Sequence, residues 1–296
     1  MGKSARVQNA RLAELRAEQA KAERRKRLLI AGGTVGVVAL IVVALVVAAL
    51  TGGTREVSGQ SASALDQATF AKLTTVPATV LDTVGVGSSG NPPKVIDAPA
   101  IAKDGKPRVL YVGAEYCPFC ASQRWGLVVA LSRFGTWNNL SASYSAPAPE
   151  TNPDTPTVTF HGATFTSQYV SFTGIETSTN KMTNGQWGKL DALEGEDLEL
   201  FRKYNAPPYT TSAGAIPWMT IGGTMIQGGA SYDSEPILGK SHADIATALS
   251  DPPSAIAQGI NGTANTLTAA ICKATNQQPT AVCTAPGVTA AAATIK

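Results

Sequence analysis

The most continuous feature of the hydrophobic pattern is residues 28–50, 23 uncharged and mostly branched positions. As a helix they rise about 34 Å, enough to cross a hydrocarbon core about 30 Å thick. Elsewhere the apolar positions recur with a period. Between 62 and 84, Leu65, Phe70, Leu73, Val76, Val80 and Leu81 share helical faces, and Pro77 should kink or split that helix. Residues 85–93 read as loop, and Asp104-Gly105-Lys106-Pro107 as a turn into a β-type run at 108–114. An apolar helical run covers 121–134. A strand is expected at 137–144, a Pro-rich loop at 146–156, and two alternating strands at 157–165 and 168–177. Leu190, Leu193, Leu198 and Phe201 give 190–204 helical spacing. Residues 215–226 suit two strands around Gly222-Gly223, with helices following at 238–249 and 255–273. The Ala/Thr-rich tail from Thr284 suits a frayed end.

Length and charge organise this pattern into regions. A chain of 296 residues has room for one sizeable domain plus appendages, and four cysteines are too few for a disulfide-dense scaffold. The net charge of +3 conceals an asymmetry. Residues 1–27 carry nine Lys/Arg against three Glu, whereas 51–296 carry fifteen against eighteen acidic residues. The basic arm, ending in Arg24-Arg25-Lys26-Arg27, suits a solvated helix or a partner-binding one. Placed before the apolar segment, it puts the N-terminus in the cytoplasm and residues 51–296 outside. The apolar core of a cleaved signal peptide is about 7–15 residues, so an uncleaved anchor fits better, although Ala48-Ala49 resembles a cleavage region. The main domain is slightly acidic, and nucleic acid is not an expected partner.

The chemistry concentrates where the strand at 108–114 meets the helix, at Cys117-Pro118-Phe119-Cys120. A thiol at a first helical turn faces unpaired N–H groups and the positive end of the dipole, which stabilise thiolate. Cys117 is therefore the expected nucleophile and Cys120 the resolving thiol. A zinc half-site would need two more ligands among His161, His242, Cys272 and Cys283, and the last two are not a second C-x-x-C. Haem attachment would need His where Ala121 stands. No metal and no cofactor are expected. Glu115, the carboxylate nearest the thiols, either takes protons during exchange or faces solvent. Arg124, one turn beyond Cys120, either favours thiolate or makes a surface salt bridge. Cys272 and Cys283 suit a structural disulfide contributing about 2–3 kcal/mol, or a second redox relay.

Strand, C-x-x-C and helix together resemble the redox site of a thioredoxin-like domain. In that fold a cis-proline lies against the C-x-x-C and opens a strand, and Pro217 after Ile216 is the matching position; an ordinary trans proline at a strand start is the alternative. More narrowly, the run Tyr111-Val112-Gly113-Ala114-Glu115-Tyr116-Cys117-Pro118-Phe119-Cys120-Ala121, with Arg124-Trp125 and Ala130-Leu131-Ser132-Arg133-Phe134-Gly135, resembles a bacterial membrane-anchored family of unknown function over about residues 62–283. The motif is similar to the C-P-Y-C of glutaredoxins and departs from the C-G-P-C of thioredoxins and the C-P-H-C of DsbA-type oxidases. Tyr111 stands where thioredoxin has a buried Asp.

The reading that follows is an α/β protein, a thioredoxin-like sheet flanked by helices with a β-rich insertion, preceded by a single transmembrane helix. Its regions are a cytoplasmic arm (1–27), a transmembrane helix (28–50), a linker (51–61), the extracytoplasmic domain (62–283) and a flexible tail (284–296). The expected function is a membrane-tethered thiol–disulfide oxidoreductase acting on extracytoplasmic proteins. Cys117 and Cys120 would react, Pro217 and Glu115 would assist, and a separate redox partner would reset the pair. The alternative is a non-catalytic envelope assembly or interaction module in which Cys117 and Cys120 form a structural bridge.

Overall fold

The computed structural model describes residues 56–296; the basic arm, the apolar segment 28–50 and residues 51–55 lie outside the described residues. In chain order the strands are β1 (Val57–Ser58), β2 (Ser63–Ala64), β3 (Lys94–Val95), β4 (Ala102–Lys103), β5 (Lys106–Gly113), β6 (Gly135–Asn138) and β7 (Ser141–Tyr144). They continue as β8 (Pro156–Thr159), β9 (Thr164–Ser167), β10 (Ser171–Glu176), β11 (Ser178–Thr183), β12 (Gln186–Lys189), β13 (Trp218–Ile221) and β14 (Met225–Gly228). The helices are α1 (Gln67–Thr74), α2 (Ala78–Val84), α3 (Pro118–Ser132), α4 (Gly195–Tyr204), α5 (His242–Ala248), α6 (Ala255–Ala274), α7 (Thr280–Cys283) and α8 (Pro286–Ala292). Among the described residues no helix is long and apolar enough to cross a membrane.

The fold is mixed α/β, and its main sheet runs β10-β5-β13-β14-β3, with β4 hairpinned onto β5. β10 lies parallel to β5, in a register that sets Glu176 opposite Gly113. A parallel partner requires a long crossover, which α3 and the segment after it provide. β13 is antiparallel to both β5 and β14. The three-residue turn Gly222-Gly223-Thr224 joins β13 to β14, with both glycines at positive φ, 61° and 79°, which L side chains rarely adopt.

Because side chains alternate along a strand, β5 feeds two cores. Val109 and Tyr111 join the larger one, with Trp125 and Leu127 of α3, Met219 and Ile221 of β13, and Ile260 and Leu267 of α6. Leu110 and Val112 point the other way, to Trp218 and Tyr204, where Phe201 of α4 packs edge-on to Trp218 at 5.6 Å. Three layers result, with α3 and α6 on one face of the sheet and α4 on the other. Every residue of α3 except Phe119 and Ser132 is buried. Close approach to α6 depends on Gly126, where a Cβ would lie 2.5 Å from the Thr263 side chain.

Several boundaries differ from the sequence expectation. The helix expected over 62–84 is two helices, α1 and α2, separated around Pro77. The strand expected at 137–144 breaks into β6 and β7 at Asn139, whose φ is 59°. The strand expected at 157–165 breaks into β8 and β9 at the His161-Gly162 turn. Helix α4 starts five residues late, because Leu190 and Asp191 instead bond in extended form to the carbonyls of Thr177 and Glu176. The hairpin β11–β12 was not expected, although Asn184-Gly185, both at positive φ, is a strong hairpin signal. Two regions expected to be flexible are structured. Within the supposed linker, β1 pairs with β11 and buries Val57. Within the supposed tail, α8 buries Val288 and Ala291, and the Lys296 carbonyl accepts from the Val95 N–H at 2.7 Å.

Candidate thiol site

The end of β5 delivers the chain directly to the start of α3. Cys117 is the N-cap of α3 and Pro118 follows in the first turn, where its missing N–H costs nothing. The Cys117 sulfur accepts the Cys120 backbone N–H at 3.2 Å. From its other side it donates to the Ile216 carbonyl at 3.8 Å. The Ile216–Pro217 peptide bond is cis, and Pro217 leads straight into β13, beside β5. Residues about a hundred apart in sequence thus meet at one sulfur.

Both proximal cysteines are free thiols, and their surroundings separate them. Cys117 is 5% exposed and Cys120 is fully buried. The Cys120 thiol hydrogen bond holds the Cys117 pKa below the ordinary value against the opposing effect of burial, helped by the Cys120 and Phe119 N–H groups and the Arg124 charge. Burial pushes Cys120 well above the ordinary value, and the proton it shares with Cys117 adds to this. Of the two sulfurs, the outer one therefore loses its proton more readily than the inner one.

Beneath the thiols lies a buried ion pair. Arg124, one helical turn after Cys120, is not at the surface, contrary to the surface salt bridge held open above. It is fully buried and bonds Glu176 through Nε at 2.8 Å and Nη2 at 2.7 Å, while Nη2 also reaches the Ala114 carbonyl at 2.8 Å. Burial raises the Glu176 carboxyl and the Arg124 charge pulls it back; the bidentate geometry is that of an ionised pair. Tyr111 is fully buried, and its hydroxyl has no hydrogen-bond partner among the described residues. The buried carboxylate of this ion pair, Glu176, is supplied by the end of β10.

The remaining expected residues fall in different places. Glu115 is 7% exposed rather than solvent-facing, and its charge acts on Glu176. Tyr116 stacks flat on Trp187 of β12 at 4.5 Å, walling one side of the site. Phe119 stands 49% exposed between the two cysteines. Cys272 and Cys283 are joined as a disulfide at the end of α6, so neither is available to complete a zinc site with the proximal pair. His242 places Nε2 3.0 and 2.7 Å from the Ser143 and Thr157 carbonyls, and His161 pairs with Asp191 at 2.6 Å. Sequence reasoning missed Glu176. Its signal was the one charged residue of β10, at the strand's end.

Residues 94–192 match a family model described as Domain of unknown function (DUF929). That span holds β5, both cysteines of the motif, Arg124 and Glu176, and it ends before Pro217 and the distal disulfide. No curated protein and no solved structure matches the chain.

Proposed function

We propose that this chain is a membrane-tethered thiol–disulfide oxidoreductase with a thioredoxin-like domain, acting on extracytoplasmic proteins through Cys117 and Cys120. The observation that carries the reading is the asymmetry of the two sulfurs. Cys117 caps a helix, accepts the Cys120 N–H and has a depressed pKa, while Cys120 is buried behind it and loses its proton less readily. The strand order β10-β5-β13-β14, with α3 between β5 and β10 and a cis-proline opening β13, supports the thioredoxin-like assignment. The apolar segment 28–50 and the basic arm before it support an uncleaved anchor with the domain outside.

In the reaction, the Cys117 thiolate attacks one sulfur of a substrate disulfide. The Cys117–substrate bond forms as the substrate S–S bond breaks, and the departing substrate thiolate takes up a proton. Cys120 then loses its proton and attacks Cys117, forming the Cys117–Cys120 disulfide and expelling the second substrate thiolate, which is protonated in turn. Two electrons pass from the dithiol to the substrate, and a redox partner restores the dithiol; the reverse sequence oxidises a substrate dithiol. Glu115 is the carboxylate assigned to proton exchange and Pro217 shapes the surface beside the sulfur.

The low exposure of both cysteines favours a second reading, a non-catalytic envelope assembly module that uses the pair as a bridge. Trapping separates the two. Cys120→Ser should accumulate mixed disulfides through Cys117 in cells, whereas Cys117→Ser should accumulate none. Absence of any captured thiol partner with Cys120→Ser supports the bridge instead. Protease added to intact spheroplasts should digest the domain; protection would refute the orientation.

A further inference from the structure

Beside the thiols, Phe119 is one wall of an open groove of about 690 Å³, with Tyr232 and Asp233 among its other walls. Three loops supply the rest, at 85–93, 145–155 and 229–239. They are fastened to one another. The Gly90 N–H donates to the Ser231 carbonyl at 2.8 Å, and Asn152 Nδ2 to Ser234 Oγ at 2.7 Å. The groove is therefore a built surface rather than a gap between independent loops. A half-exposed aromatic residue next to a reactive sulfur, one of two large apolar side chains left exposed among the described residues, marks a contact surface.

Charge indicates what it contacts. The three loops carry Glu150, Asp154, Asp233 and Glu235 and no Lys or Arg. Asp233 is exposed and lines the groove, with Oδ1 fixed by the Glu235 N–H at 3.0 Å. The nearest bases in sequence serve elsewhere. Lys94 faces a separate hollow lined by Tyr209 and Gln227. Lys240 adds to the Ser241 hydrogen bonds that hold the Asp244 carboxyl low. We infer that this groove seats the substrate segment next to its reactive cysteine, and that the segment is basic. An aliphatic side chain would lie against Phe119 and Tyr232, with a Lys or Arg opposite Asp233 and Glu235. This rests on the oxidoreductase reading and adds a substrate class to it.

The test uses the full chain in detergent micelles, with two synthetic peptide disulfides that differ only in Lys or Glu beside a Leu-Cys pair, and a small uncharged dialkyl disulfide as reference. Exposed ion pairs change rates by a factor of about 1.5–5 each. The Lys peptide should therefore exchange at least about three times faster than the Glu peptide at low salt. The two rates should converge near 1 M salt, where the screening length is about 3 Å. Asp233→Asn combined with Glu235→Gln should bring the Lys-to-Glu ratio towards one, and Phe119→Ser should slow both peptides alike. Equal low-salt rates for the two peptides, with the dialkyl disulfide still exchanging, overturn the basic-substrate inference alone. If none of the three disulfides exchanges, the oxidoreductase reading falls and this inference falls with it.

Discussion

Arg124 and Glu176 form a bidentate ion pair at 2.7–2.8 Å with neither side chain exposed, joining α3 to the end of β10 under the thiols. Two charges taken out of water cost several kcal/mol each, and only their mutual contact offsets this. Removing one partner should therefore hurt more than removing both. Glu176→Gln is expected to destabilise the protein by about 3–5 kcal/mol, whereas Arg124→Met with Glu176→Leu should recover most of that loss. Urea midpoints of the two variants decide it. Equal destabilisation would mean the pair contributes net stability beyond the cost of its burial.

The thiols give a second prediction. Because the hydrogen bond from the Cys120 side chain is the largest cause lowering the Cys117 pKa, the substitution at 120 matters. Cys120→Ser keeps a donor, and Cys117 should then alkylate with a pKa below the ordinary value of about 8.5. Cys120→Ala removes it, and the pKa should rise measurably above that of the Ser variant. Alkylation rate against pH reads both values. Identical curves would show that the helix terminus alone sets the thiolate.

How much of this was legible beforehand depends on the range of the interaction. Cys117 as a helix cap followed from local order, because strand, motif and helix are contiguous. The Gly222-Gly223 hairpin was equally legible, since its turn chemistry is local. Glu176 was not, because its role depends on a parallel pairing of β10 with β5 across the crossover 114–170, and no local period encodes that register. Arg124 was misjudged for a related reason. Arginine is rarely buried without a partner, and its partner lies 52 residues away. The tail was misjudged because its small Ala and Val side chains look like a poor core until α6 is there to receive them.

Alkaline stability gives a third prediction. Burial raises the pKa of Cys120, Tyr111 and Tyr232 in the native state. The unfolded chain releases these protons near pH 8.5 for the thiol and pH 10 for the phenols, while the native protein keeps them. The native state then binds more protons, so stability falls as pH rises through those values. Cys117, with its lowered pKa, works the other way, adding stability as pH rises towards 8.5. Tyr232→Phe should lose about 1 kcal/mol at pH 8, through its hydrogen bond to the Ser122 carbonyl, yet lose less than wild type between pH 9.5 and 11. Denaturant midpoints across that range test it; parallel slopes would assign the alkaline loss to other groups.

The distal disulfide gives the last. Cys272 lies in the last turn of α6 and Cys283 ends α7, with 5.5 Å between their Cα atoms and a sequence separation of 11. Cross-linking a loop of this size restricts the unfolded chain by about 2–3 kcal/mol. In a domain of this length that corresponds to roughly 4–10 °C in melting temperature. The bond also holds the turn from which α8 runs back along α6, where Val288 and Ala291 are buried. Cys272→Ser should therefore lower the melting temperature by that amount and speed amide exchange in 284–296, without slowing thiol exchange at Cys117. Peptide mapping under non-reducing conditions should recover the two cysteines linked. If the substitution leaves stability unchanged but abolishes exchange, the distal pair is a relay, and electrons must pass from α6 to the motif on α3.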